Sequence, residues 1–165
     1  MVGMTSKDEK CEYLRSIGVE PLNYRTEADL VAAMREKTNS NMDIYWDNVG
    51  GEILDGALEV TKPGSRVVVC GRLSDFATPG YKLKNWPLIL KHALMIEGFI
   101  VLAFRDKWGQ AMGDIGKLHA QGKFDVKEDI SYGLENAPSC VRKLLGGENI
   151  GKVILTLDKN EKARL

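Results

Sequence analysis

Arg66-Val67-Val68-Val69-Cys70-Gly71 is the stretch on which the fold turns. Its β-branched run shows no alternation of apolar and polar residues, the pattern of a strand buried on both faces. Such a strand belongs to a parallel sheet covered by helices. The chain on either side supplies the alternating strands and helices that this sheet requires.

Upstream, Asp43 to Trp46 is a short strand, and Tyr45-Trp46-Asp47-Asn48-Val49-Gly50-Gly51-Glu52 carries it through a double-glycine turn into a helix. Ile53, Leu54, Ala57 and Leu58 hold helical spacing until Lys62-Pro63-Gly64. Downstream, residues 72–85 read as a loop, followed by a helix from Trp86 to Leu94 with Pro87 in its first turn. A strand from Ile96 to Ala103 comes next. The helix after it ends at Gly122 and has Trp108, Met112, Ile115 and Leu118 as its buried side.

The opening Met1-Val2-Gly3-Met4 resembles the last half of a buried strand. Ser6 and Glu9 are placed as a capping box for a helix from Lys7 to Ile17, with Gly18 as its stop. A turn containing Pro21 and Asn23 follows, and Thr26 is placed to cap a helix whose inner face is Leu30, Ala33 and Met34. Beyond Phe124 the pattern gives a weak strand from Val126 to Ile130, a helix from Ala137 to Leu145 and a strand from Lys152 to Leu157. A charged, frayed tail from Asp158 to Leu165 is expected.

The 165 residues are 44% hydrophobic and 28% charged, the composition of a globular domain with a sizeable core. Twenty-three basic residues balance 23 acidic ones, so nothing points to a nucleic-acid groove or a polybasic membrane patch. Three cysteines far apart in sequence argue against a disulfide framework and for a reducing compartment. His92 and His119 lie in different helices, so no metal is expected. No apolar stretch reaches membrane-spanning length, and the expected location is the cytoplasm.

Three places could carry chemistry, all at the ends of strands, where open α/β sheets bind ligands. Glycines at 50 and 51 allow close approach to the backbone while Asn48 offers an amide. Alone, such a pair is more often only a turn. Lys10, after the small Thr5 and Ser6, suits a ribose 2′-phosphate, although a single lysine there more often marks only a solvated helix start. Cys70-Gly71 closes the buried strand, with nothing beside Cys70 to activate a nucleophile.

Trp46-Asp47-Asn48-Val49-Gly50-Gly51, Arg66 to Gly71, Gly98-Phe99-Ile100-Val101 and Gly147-Glu148-Asn149-Ile150-Gly151-Lys152, taken together in this order and spacing, resemble one family. It is the zinc-independent medium-chain reductases of the alkenal double-bond reductase and prostaglandin (leukotriene) reductase type. The likeness runs from Val2 to about Leu157.

The resemblance implies an α/β fold: an incomplete Rossmann-like doubly wound parallel sheet over residues 1–123, and a segment over 124–157 that returns to a catalytic domain. It implies NADP(H) as cofactor and hydride transfer to the alkene of an α,β-unsaturated aldehyde or ketone. Lys10 falls on the adenosine 2′-phosphate and Tyr24 near the same end, while Asn48, Cys70, Phe99, Val101 and Asn149 match positions lining the nicotinamide half. No catalytic residue is assigned to this chain. Phe76, two residues after Ser74, and Leu102 stand where the family commonly has tyrosine, with Tyr81 close enough in sequence to stand in.

The family's first strand and its Gly-rich phosphate loop precede the residue matched by Val2. In the order 3-2-1-4-5-6 that strand is central. Its absence is expected to separate the early strands from the later ones, to expose strand edges and to compromise cofactor retention. A homodimer through the strand Gly98 to Ala103, or by strand exchange, is the expected compensation. The rival to an inactive cofactor-binding portion is a non-catalytic oligomerisation or interaction module. An alcohol dehydrogenase portion is disfavoured because no metal-ligand cluster is present.

Overall fold

The structure is a computed structural model that describes residues 1–76 and 79–157, except for the side chains of Asp75 and Phe76. The charged tail, and the Phe76 side chain set against the family's tyrosine, lie outside the described residues. The chain divides into two compact units, one spanning Met1–Arg105 and one beginning at Asp106.

In the first unit β1 (Val2–Thr5), α1 (Asp8–Ser16), β2 (Glu20–Asn23), α2 (Leu30–Thr38), β3 (Met42–Asp47), α3 (Gly51–Val60), β4 (Thr61–Val69), α4 (Pro87–Lys91) and β5 (Met95–Gly98) follow in order. Every ladder is parallel. The strands form two separate sheets, β1-β2 and β3-β4-β5, and no ladder joins β1 to β3 among the described residues. These are the pieces 2-3 and 4-5-6 of a doubly wound sheet, so the separation expected from the missing central strand is present.

The valine run is the middle strand of its sheet, with Tyr45 opposite Val67 and Val67 opposite Ile96. Burial on both faces is corrected. Tyr45, Asp47 and Val67 face a core containing Ala57, Leu58 and Val60 from the third helix, with Met34 and Leu22 in the same cluster. Successive side chains alternate across a sheet. The opposite face accordingly carries Ile44, Trp46 and Met95, which are 62%, 57% and 55% exposed. The valines supply strand propensity; among the described residues, cover is present on one side only.

Helix boundaries also shift. Lys7 precedes α1 without a side-chain cap, so the Ser6–Glu9 box does not form. Gly18, at φ +77°, does end that segment, with its N–H on the Arg15 carbonyl. Asp29, rather than Thr26, caps α2 by accepting from Ala32 N at 2.9 Å, while Thr26 Oγ1 donates to Asn23 O. The expected Pro21–Asn23 turn is the strand β2: it pairs only with β1, so proline's missing N–H can sit on its free side.

The expected strand from Ile96 to Ala103 ends at Gly98, and Val101–Lys107 winds as 3-10 turns. The expected helix from Trp86 to Leu94 is the shorter α4.

The second unit holds α5 (Trp108–Ala120), β6 (Glu128–Tyr132), α6 (Ala137–Leu145) and β7 (Lys152–Thr156), the two strands paired in parallel. Trp108, Met112, Ile115 and Leu118, expected to be buried, are exposed. Their periodicity made the helix legible, but no cover for that stripe is present in the described chain. Among the described residues no helix is long and apolar enough to cross a membrane.

Candidate functional site

Asp47, Val69 and Gly98 form the last paired row of the three-stranded sheet. The residues immediately after them, Asn48, Cys70 and Phe99, are therefore brought together along its carboxyl edge. Cys70 N donates to Asp47 O at 2.7 Å and Phe99 N to Val69 O at 3.2 Å, which carries the ladder geometry one step beyond the strands. Asn48 is exposed and Cys70 half-buried. Phe99 packs edge-on against Trp46 and Phe104, each with ring centroids 5.8 Å apart.

Asp47 organises this edge, and sequence reading passed over it. It is fully buried, and its Oδ1 accepts from Val49 N at 3.2 Å, Gly50 N at 3.0 Å and the Tyr45 hydroxyl at 3.3 Å. The carboxylate folds the turn by binding backbone two and three residues ahead, as Asx turns do. Burial and this neighbouring carboxylate push the Tyr45 hydroxyl pKa far up. Burial, then Asp47, also pushes the Cys70 thiol up, which leaves Cys70 a poor nucleophile. The sequence signal was the alternation Tyr45-x-Asp47, which sets the aspartate on the buried face.

The two glycines serve the chain's own packing. Gly51 has φ +59°, and a Cβ there would lie 2.8 Å from Ser74 Oγ. Leu73 N and Ser74 N donate to the carbonyls of Asn48 and Val49, at 3.3 and 2.9 Å, and lay residues 71–74 across the turn. Asp47 Oδ2 and Ser74 Oγ are buried here without a bonding partner among the described residues. The Tyr81 hydroxyl donates to Asp55 Oδ2 at 3.0 Å, and Asn85 N donates to Asp55 Oδ1 at 2.8 Å.

Lys10 and Tyr24 lie at the carboxyl end of the other sheet. Tyr24 N donates to Thr5 O at 3.0 Å beyond the last row, Thr5 opposite Asn23, and Lys10 sits in the first turn of α1. Partial burial, then the like charges of Lys7 and Arg25, hold the Lys10 ammonium below its ordinary pKa. Three cations thus converge near one strand end, of which the sequence had singled out one. Val101 is exposed in the 3-10 segment. Asn149 belongs to the second unit, where its Nδ2 donates to Gly151 O at 2.7 Å.

Among the described residues no group of three His, Cys, Asp or Glu side chains could hold a metal ion. The family model described as zinc-binding dehydrogenase matches residues 1–116. Prostaglandin reductase 1 of Bos taurus is 33% identical over 94% of this chain and 48% of its own length. The NADP(+)-dependent 2-alkenal reductase of Nicotiana tabacum is 32% identical over 96% of this chain and 47% of its own. The crystal structure of CurA in complex with NADPH, from Vibrio vulnificus, superposes with a TM-score of 0.85 at 27% identity, covering 96% of this chain and 49% of that one. The chain spans about half the length of the relatives it matches. It belongs to the zinc-binding dehydrogenase family, the medium-chain dehydrogenases and reductases, and its likeness runs to the prostaglandin and alkenal reductases within it.

Proposed function

We propose that this chain is the cofactor-binding portion of an NADPH-dependent reductase of α,β-unsaturated aldehydes or ketones, and that it does not turn over substrate alone. In this reading residues 1–123 form a partial dinucleotide-binding domain and residues 124–157 a segment of the catalytic domain. One observation carries it: Tyr24 stands just past the carboxyl end of one parallel sheet, and Asn48, Cys70 and Phe99 just past that of the other.

The donor set fits the cofactor at both ends. Lys10, with Lys7 and Arg25 near enough to depress its pKa, gains from an anion such as the 2′-phosphate. Asn48, Cys70, Phe99 and Val101 would border the nicotinamide half. NADPH, when bound, supplies the hydride. This chain's residues orient it: the buried Asp47 fixes the turn that presents Asn48, and Phe99 is held by Trp46 and Phe104. A homodimer through the outer edge of the last strand of the sheet belongs to the same proposal, now confined to Met95–Gly98.

Calorimetry with NADPH tests the reading. Micromolar binding is expected, weakened about tenfold by Lys10→Ala, with NADH affinity little changed. The open face of the sheet favours a second reading, a non-catalytic interaction module. No NADPH binding by a chain that forms a stable complex would establish that module in place of the cofactor reading.

A further inference from the structure

We propose, resting on the cofactor reading above, that Asp47 sets which redox form of the cofactor this site prefers: its buried carboxylate favours a cationic nicotinamide ring over a neutral one.

Asp47 ends β3, and the backbone of both turns on this edge is tied to it. Its carbonyl accepts from Cys70 N at 2.7 Å and from Gly71 N at 3.1 Å, while its side chain accepts from Val49 N and Gly50 N. The carboxylate therefore lies on the core side of the edge along which Asn48 and Cys70 stand.

The group is fully buried, and its three donors, two backbone N–H groups and the Tyr45 hydroxyl, are neutral and fall on Oδ1. Donated bonds favour the ionised form of a carboxyl. Oδ2 is buried without a hydrogen-bond partner among the described residues, so one oxygen of the group keeps its charge unmatched.

This charge is felt along the edge. After burial, it is what pushes the Cys70 thiol up, and a negative charge that disfavours a thiolate favours a cation in the same place. In a buried site the interaction is screened far less than in water. The two redox forms of a nicotinamide cofactor differ by one positive charge on the ring, neutral when reduced and cationic when oxidised. A charge fixed near the ring discriminates between them. Three donors hold this one in place in the free chain, so no reorganisation is required when the cationic ring is present. A role confined to holding the turn would change the affinity for both forms by one factor; a charge changes their ratio.

The test is calorimetry on the full chain with NADPH, with NADP+ and with an adenosine fragment that carries the 2′-phosphate but no nicotinamide. Asp47→Asn keeps an oxygen to accept from Val49 N and Gly50 N while removing the charge. It is expected to lower the affinity for NADP+ relative to NADPH at least about threefold, with the affinity for the fragment changed less than about twofold. Tyr45→Phe keeps the charge, withdraws one donor from it and fills the same core space, so it carries the test where the amide variant does not fold. In that chain the ratio is expected to move toward NADP+ by about twofold.

A ratio unmoved in the folded Asp47→Asn chain overturns the proposal and leaves the cofactor reading standing. Where that chain does not fold, a ratio unmoved or moved toward NADPH by Tyr45→Phe does the same. Absence of binding of all three ligands by the unaltered chain overturns the cofactor reading, and this proposal with it.

Discussion

Asp47 and Gly71 determine whether the carboxyl edge of the larger sheet exists. Gly71 has an ordinary φ, so its constraint is space: a Cβ there would fall 2.6 Å from the Asn48 carbonyl oxygen, a backbone atom that cannot swing aside. Gly71→Ala is expected to cost about 1–3 kcal/mol by forcing the two turns apart. Chemical denaturation checks this, with Gly64→Ala as a control for backbone strain alone, since nothing lies within 4 Å of a Cβ at Gly64. The place of Asn48 just past a strand end was legible because two glycines after an apolar run mark a strand-to-helix turn. Asp47 was not, because a charged residue reads as solvent-facing until the register places it opposite Val69, on the core side.

The long segment between β4 and β5 is tied down at both ends. Residues 71–74 bond to the carbonyls of Asp47, Asn48 and Val49. Tyr81 and Asn85 bond to Asp55, which is only 4% exposed. Asp55→Ala would leave the half-buried Tyr81 hydroxyl and the Asn85 N–H without this partner, so a loss of about 2 kcal/mol is expected from thermal or denaturant unfolding. Tyr81→Phe removes one bond and should cost about 1 kcal/mol.

In the second unit Asp129 accepts from Lys143 Nζ at 2.5 Å and from Ile150 N at 3.3 Å, joining β6 to α6 and to the turn before β7. The Lys143 bond, with help from the Ile150 N–H, holds the Asp129 carboxyl below its ordinary 3.8. A depressed folded-state pKa stabilises above the unfolded value and is lost as pH falls through the folded one. Exchange protection of β6 and β7 should therefore weaken below about pH 4, and Asp129→Asn should flatten that dependence. Sequence periodicity found α6 to the residue, because four of its nine positions are apolar or small at helical spacing. It missed β2, where a proline masked a strand that needs only one hydrogen-bonding edge.

At the scale of the molecule, the separation of the sheet was legible in the sequence because the doubly wound order has a fixed centre. The open face was not, because a strand's own residues do not record whether a helix covers them. The same separation bears on catalysis. Hydride transfer needs the reacting atoms within about 3–3.5 Å, and a misplacement of about 1 Å costs roughly a hundredfold in rate. In the proposed reading the contacts to the two ends of NADPH stand on two unjoined sheets, and the 165 residues contain no Gly-x-Gly-x-x-Gly loop to fix the pyrophosphate between them. The purified chain, given NADPH and a simple enal or enone, is therefore expected to show no NADPH oxidation above background at 340 nm under conditions where calorimetry detects binding. Turnover in the ordinary enzymatic range, about 1 s⁻¹ or faster, would show that the two sheets align the cofactor without a joining strand. It would sink the claim that this portion is inactive alone.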